Sequence, residues 1–484
     1  MYVKLNFLKP FILCCFLFYC LNMKAQTTSL EECFSIAKQN NITIKQARSA
    51  LLTGEYNLQA EKKGYFPKVD LLSSYSYLSN PLTINLQTVK DGIVEGSSQQ
   101  SVNTANEIYH EITGGNLSQA AQDRIYDASK KVISGIYPDY NPSLSKQSYF
   151  IAGVGVRQPI FLGNKINSSI DLAQSVVNSA DIGVELAGKE VDFLIAIQYI
   201  RILYLNSLIK KQEQIVNALD KNKNYAEELV KNKILPPYQK NWTNVVLIQA
   251  QSQYNNIKLE KQNAHLELNK LMGVDLNTQI VISDTLRYNA VNLEKPVKDY
   301  WLTNPVYRIA NNKITYAETA EKISKSMALP NIFAIGNYNL YQKDLPVSIP
   351  DWFVGLELQW TLYNGQTSKK TLAAKQLIEE AKLGEENSSL MLQVQSRVAK
   401  NKMSSLQNDV DAMDAARKEA ATTSSLITKR MNNQLSSPKD VNDALLVETE
   451  IEKGYYTAVL GYYLALAEYF NSLGNPSQIT QFIK

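Results

Sequence analysis

The chain has 484 residues, enough for two or three ordinary domains or one large one. Lys plus Arg number 50 against 46 Asp plus Glu, with no basic run, which argues against a nucleic-acid binder. Only two histidines are present, which argues against a histidine-rich metal site.

At the N-terminus Lys4 precedes FLKPFILCCFLFYCL, an apolar run too short and too near the start for a membrane span. It ends at Met23-Lys24-Ala25-Gln26, so residues 1–25 read as a signal peptide with Ala25 before the cut. Cys20 follows Tyr19 rather than a small residue, which argues against lipid attachment. Cleavage removes Cys14, Cys15 and Cys20 and leaves Cys33 alone, read as a buried small apolar residue. No later stretch holds the ~18 uninterrupted apolar residues of a membrane helix, leaving a soluble exported protein or a β-barrel.

Leu30 to about Gly64 reads as one helix of about 35 residues. The strand PKVDLLSSYSYL follows, with Val69, Leu71, Tyr75 and Tyr77 on one face. An insertion, about 79–148, is loop-like at Asn80-Pro81, Gly96-Ser97-Ser98 and Gly114-Gly115. Within it Leu117, Ala121, Ile125, Ala128 and Val132 fall at helical spacing. The strand FIAGVGVRQPIF groups Phe150, Ala152, Val154, Val156 and Ile160, and Gly163 then leads into a proline-free helix. Apolar steps through Ile195, Ile202, Ile209 and Val216 predict a rod of roughly 100 Å packed at coiled-coil angles. It breaks at Leu235-Pro236-Pro237 and returns to Gly273. Beyond a linker at 275–292, NIFAIGNYNLY groups Ile332, Ala334, Tyr338 and Leu340. After a short link at 345–350, DWFVGLELQWTLY (351–363) places Trp352, Val354, Leu356, Leu358, Trp360 and Leu362 on one face. Gly355, Glu357, Gln359 and Thr361 take the other, the pattern of a lipid-facing strand. Gly365 opens a second long helix, broken near Leu435 to Pro438, and a tail covers 475–484.

The two halves align as a tandem internal repeat, 26–274 and 293–474. Asn41 recurs as Asn304 and Phe66-Pro67 as Leu329-Pro330, at an offset of 263. Phe161 and Gly163 recur as Tyr363 and Gly365 at 202, and Leu235 as Leu435 at 200. The first copy thus carries about 60 extra residues between its strands. Four strands cannot close a barrel alone, so a barrel needs several chains. The rods' remaining faces are polar, which suits a hollow tube with a wet inside and outside.

These residues resemble the TolC-like outer-membrane efflux and secretion channels over essentially the whole mature chain. The resemblance rests on the tandem repeat, SLEECFSIAKQNNITIKQA, the Phe-Pro strand entry, Gln158-Pro159-Ile160-Phe161-x-Gly163 and NQLSSPKDVNDA. It implies an α+β membrane protein: a homotrimer whose four strands per chain make a twelve-stranded β-barrel in outer-membrane lipid, continuing into a long periplasmic α-helical barrel. Gly163 and Gly365 then mark where strand gives way to helix. The function implied is a passive exit duct of a tripartite efflux or type I secretion system. Its partners would be a periplasmic adaptor and an inner-membrane pump of RND or ABC type, with no nucleic acid. Where the family commonly has Val-Gly-Leu at its adaptor-contact tips, the aligned residues are Lys233-Ile234-Leu235 and Asn433-Gln434-Leu435, so Ile234, Leu235, Gln434 and Leu435 are the expected contacts. Acidic constriction residues of the family align near Ser425 and Thr428, leaving Glu227 and Glu228 as candidate aperture acids or, equally, a solvated helix face. The insertion departs from the family and is expected as an extracellular cap or a surface decoration.

No phosphate loop, zinc spacing or nucleophile motif appears, so neither an enzyme nor a cofactor is expected. The competing class is a periplasmic or surface coiled-coil rod, structural or adhesive and without a pore. Trp352 and Trp360 on an apolar strand face speak against it.

Overall fold

The computed structural model describes residues 28–137, 143, 146–282, 284–293, 298–345 and 348–483. The expected signal peptide, 1–25, lies outside the described residues, as do 346 and 347 of the short link. The elements are α1 (Leu30–Asn40), α2 (Ile42–Lys62), β1 (Lys68–Tyr77), α3 (Gln87–Thr113), α4 (Gln119–Ile136), β2 (Ser148–Leu162), α5 (Lys165–Lys231) and α6 (Pro237–Met272). They continue as α7 (Pro305–Ser326), β3 (Asn331–Lys343), β4 (Trp352–Gln359), α8 (Gly365–Asn432) and α9 (Pro438–Ser472). The chain divides into a helical unit (1–62, 167–325, 365–484) and a sheet unit (63–166, 326–364).

In the helical unit α5 and α8 run for 67 and 68 residues, while α6 and α9 return for 36 and 35. The seam of α5 departs from the expected one. Ile195 and Ile202 are buried, but Leu208, Ile215, Leu219 and Ala226 follow them, not Ile209 and Val216. Two three-residue steps, Ile202 to Leu205 to Leu208, move the apolar line back by one residue, a local interruption of the heptad of the kind that an extra three-residue step makes. Two seam positions are polar. Gln212 donates to the Ala250 carbonyl at 3.0 Å, and Asn222 donates to the Pro438 carbonyl at 2.8 Å and to Asn442 at 2.7 Å. Such buried amides have partners in one register only, so they fix α5 against α6 and α9.

The first helix is broken, not continuous to Gly64. Asn41 interrupts it: its carboxamide oxygen accepts the Ile44 N–H at 3.1 Å, capping α2, and its amide donates to the Leu271 carbonyl. Asn304 repeats this arrangement, accepting the Val306 N–H at 3.0 Å and donating to the Ser472 carbonyl at 3.1 Å. Each accepting carbonyl, Leu271 and Ser472, lies two residues before a glycine in the left-handed region, Gly273 (φ 69) and Gly474 (φ 79). Cys33 is fully buried, and burial pushes its thiol up to about 12. The segment Pro476–Phe482 forms a 3-10 turn, with Ile479 buried and Phe482 stacked on Phe470.

Asp192 on α5 is also buried, 3.7 Å from Lys38, and burial pushes its carboxyl from 3.8 up to about 6. The folded state therefore holds the proton more tightly than the unfolded one, and stability falls as pH rises between these two values. Asp192→Asn should stabilise the protein at pH 7.5 by on the order of 2 kcal/mol and have little effect near pH 4. Thermal unfolding at both pH values checks this, and equal shifts at both would contradict it.

In the sheet unit β1, β2, β3 and β4 form one antiparallel sheet in chain order. The insertion is a helical hairpin: α3 packs on α4 and buries Val94, Ser98 and Val102. Gly96-Ser97-Ser98, expected in a loop, thus lie inside α3, whereas Gly114 ends that helix at φ 76 as a turn residue should.

Candidate functional site

Two surfaces carry the expected functional residues: one face of the sheet and the tips of the two long hairpins. On the sheet, register brings the four separately predicted apolar sets onto a single face. Leu71 pairs with Val154 and Tyr75 with Phe150. Val154 pairs with Tyr338, Gly336 with Val354, Ala334 with Leu356 and Ile332 with Leu358. Two residues of the predicted sets leave the ladder, Ile160 in β2 and Leu340 in β3, each skipped at a register shift. The β2 shift follows Pro159, which lacks the N–H a regular ladder would use.

This face is exposed in the single chain: Leu71 74%, Val354 75%, Leu356 74%. The opposite face carries a charged pair. Arg157 reaches Glu357 at 2.9 Å, with its guanidinium 3.9 Å over the Phe333 ring. Strand β4 is shorter than expected. It ends at Gln359, so Trp360 and Leu362 lie beyond the ladder. The Trp360 indole N–H instead donates to the Ala328 carbonyl at 3.1 Å, holding its ring at the end of the sheet.

The two glycines after β2 and β4 differ. Gly163 has φ 59, and a Cβ there would stand 2.6 Å from Leu329 Cβ and 2.9 Å from the Ser326 carbonyl oxygen. The position therefore demands glycine. Gly365 is the first residue of α8 and is not in the left-handed region.

At the tips, each long helix ends in one residue at positive φ, Lys233 (φ 57) and Gln434 (φ 60). The following N–H closes on a carbonyl five residues back, Ile234 on Leu229 at 2.9 Å and Leu435 on Arg430 at 2.8 Å. Ile234 therefore corresponds to Leu435. The sequence alignment, which matched Leu235 to Leu435, was one residue out on the first tip. Both apolar side chains are exposed, while Leu235 is half-buried. Pro237 and Pro438 then open the return helices, the latter after a capping box between Ser437 and Asp440. Of the candidate aperture acids, Glu227 bonds Lys240 at 3.1 Å and lies 3.9 Å from Lys223. The Lys240 bond holds its carboxyl below the usual range. Glu228 is exposed.

Sequence reasoning missed a buried ionic cluster linking the two hairpins. Lys211 on α5 reaches Glu448 at 2.6 Å and Glu452 at 3.3 Å on α9, while Arg417 on α8 stacks 3.8 Å over the Tyr455 ring. No local signal could have found it, because Lys211 and Glu448 stand 237 positions apart.

No family model and no curated protein matches the chain. Solved structures do. The Campylobacter jejuni CmeC outer membrane channel is 14% identical with a TM-score of 0.68, covering 94% of this chain and 90% of that one. The outer membrane protein VceC from Vibrio cholerae is 13% identical with a TM-score of 0.65, covering 92% and 96%. The open state of the Neisseria gonorrhoeae MtrE outer membrane channel is 13% identical with a TM-score of 0.67, covering 92% and 89%. At such identities the likeness is one of fold, and the fold is that of the TolC-like outer-membrane channels.

Proposed function

We propose that the chain is an outer-membrane channel, a passive exit duct of which three copies form one twelve-stranded barrel, serving tripartite efflux or type I secretion. The observation that carries this is the sheet: an exposed apolar face, an opposite face that mixes Asp70, Arg157, Asn337 and Glu357 with apolar residues, and two edges, β1 and β4, without a pairing strand among the described residues. Lipid has no hydrogen bonds to offer an open edge, so a spanning sheet must close on itself or on copies of itself. With four strands, the second option applies. A water-soluble rod has no use for such a face.

Other unpartnered apolar positions support assembly. Trp242, Val245 and Ile248 on α6 and Leu390, Val394 and Val398 on α8 are exposed at helical spacing. Matching Asn41 and Asn304 caps, each tied to a left-handed glycine's hairpin end, support reading the chain as a tandem duplication. In this topology the α3–α4 hairpin caps the extracellular mouth, and the Ile234 and Leu435 tips form the periplasmic end that meets an adaptor. Energy comes from an inner-membrane pump.

Purified protein added to a planar lipid bilayer should give discrete conductance steps; their absence would contradict the duct. Changing Ile234 and Leu435 to Asp should keep those steps and abolish export in cells, and unimpaired export would count against the tip contact.

A further inference from the structure

The α3–α4 hairpin of the insertion is poorly buried by itself. Helix α3 buries only Val94, Ser98 and Val102, and the Ser98 hydroxyl is taken up by the Val94 carbonyl of its own helix at 2.6 Å. Helix α4 buries none of its 18 residues. A helix of that length held by so little packing is marginal in water.

Apolar residues run past the contact between the two helices. The Leu117 N–H donates to the Asn106 side chain at 2.8 Å, so α4 starts beside position 106 and the last two turns of α3 have no helix alongside. There Ile108 and Ile112 continue the line of Val94 and Val102, 54% and 77% exposed. On α4 the predicted line is half-buried at Leu117, Ala121 and Ile125 and exposed from Ala128 on. Val132 is 63% exposed, and Ile136, one turn farther, 66%. At about 3.6 residues per turn, Ile108 of α3 and Val132 and Ile136 of α4 fall on one side of the hairpin, with Gln99 and Asp123 on the other.

Charge and position indicate what covers the apolar side. From Gln87 to Ile136 there are four Lys and Arg against six Asp and Glu, so anionic lipid headgroups do not attract the hairpin. Its base is fixed to the sheet. Beyond the last β1–β2 pair, Tyr77 with Ser148, the Leu78 N–H donates to the Gln147 carbonyl at 2.7 Å and Thr83 bridges to Ser143. Strand β1 is an open edge. In the duct reading a neighbouring copy's β4 pairs there, which sets each hairpin beside a seam between copies. Around a three-fold axis the same residue of every copy lies at the same height, so like can meet like.

We infer that the partner of this apolar side is the same side of two further copies. Three hairpins pack around the three-fold axis as a six-helix cap, with Ile112 meeting Ile112 at the tip and Val132 meeting Val132 nearer the base. This rests on the duct reading above and adds what holds the cap closed: a helical seam on the water side, separate from strand pairing in the barrel.

The test is cross-linking of the full chain in detergent, using single-cysteine variants and copper phenanthroline as oxidant. Ile112→Cys and Val132→Cys should each give a disulfide-linked two-chain band. Three thiols at an axis can pair only two at a time, so about two thirds of the chains at most should shift. Gln99→Cys and Asp123→Cys should give little, and the unsubstituted protein, whose Cys33 is buried, none. Adding Ile108→Ser and Ile136→Ser to the Val132→Cys variant should cut the yield at a fixed time at least about tenfold. Phosphatidylglycerol vesicles with spin-labelled acyl chains test the lipid alternative, through a bimane attached at position 112 of the Ile112→Cys variant. Absent cross-links, equal cross-linking at Gln99 and Asp123, a yield indifferent to the serines, or strong quenching of the bimane by the lipid would each overturn the inference. The mass of the complex separates its failure from that of the duct. A three-chain mass without these cross-links overturns the cap alone, whereas a single-chain mass overturns both.

Discussion

Replacing Val354 and Leu356 with arginine should leave the protein unable to enter the outer membrane. Both lie inside β4 on the apolar face, 75% and 74% exposed, paired with Gly336 and Ala334. An arginine on the lipid side of a barrel costs about 2–4 kcal/mol near the midplane, and a trimer would carry six of them. The control is Gln359→Arg, on the opposite, water-facing side of the same strand, which should be tolerated. Separation of membranes by density would show the first variant missing from the outer-membrane fraction and the second present. Equal loss of both would contradict the two-sided sheet.

The second large effect concerns the helical unit. Gly273→Ala should destabilise far more than Gly474→Ala, although the two residues end matching hairpins. Both have φ near +70 to +80, so each alanine meets the left-handed penalty of about 1–2 kcal/mol. At Gly273 a Cβ would also stand 2.5 Å from the Asn40 carbonyl oxygen and 2.9 Å from the Asn41 N, backbone atoms that cannot turn aside. At Gly474 the nearest atom is Asn304 Cα at 3.4 Å. Overpacking of this kind adds about 1–3 kcal/mol. Thermal unfolding of the two variants side by side measures the difference, and equal losses would mean that Asn40 moves freely.

Much of this architecture was legible because it repeats on a short period. Alternation in 351–363 identified the β4 face, and register then joined it to Val69 and Leu71 of β1, Val154 and Val156 of β2, and Ala334 and Tyr338 of β3. Strand ends were not legible, since Trp360 and Leu362 continue the alternation after the hydrogen-bond ladder has stopped at Gln359. Helix α3 was hidden by Gly92, Gly96, Ser97 and Ser98, whose propensities favour turns; packing against α4 overrides them. The break at Asn41 depends on the Leu271 carbonyl, 230 positions away. The one-residue error at the first tip arose because Ile234 and Leu235 are both apolar, and only the left-handed φ at Lys233 tells them apart. The aperture acids show the same limit: sequence placed Glu227 on a helix, but its engagement by Lys240 depends on α6 folding back beside α5.

The central claim is that β1 and β4 are closed by other copies of the chain, and the mass of the detergent-solubilised complex tests it most directly. Native mass spectrometry after release from the micelle should give one species at three times the mass of the mature chain. A monodisperse monomer, stable in water without detergent, would contradict the barrel and with it the duct.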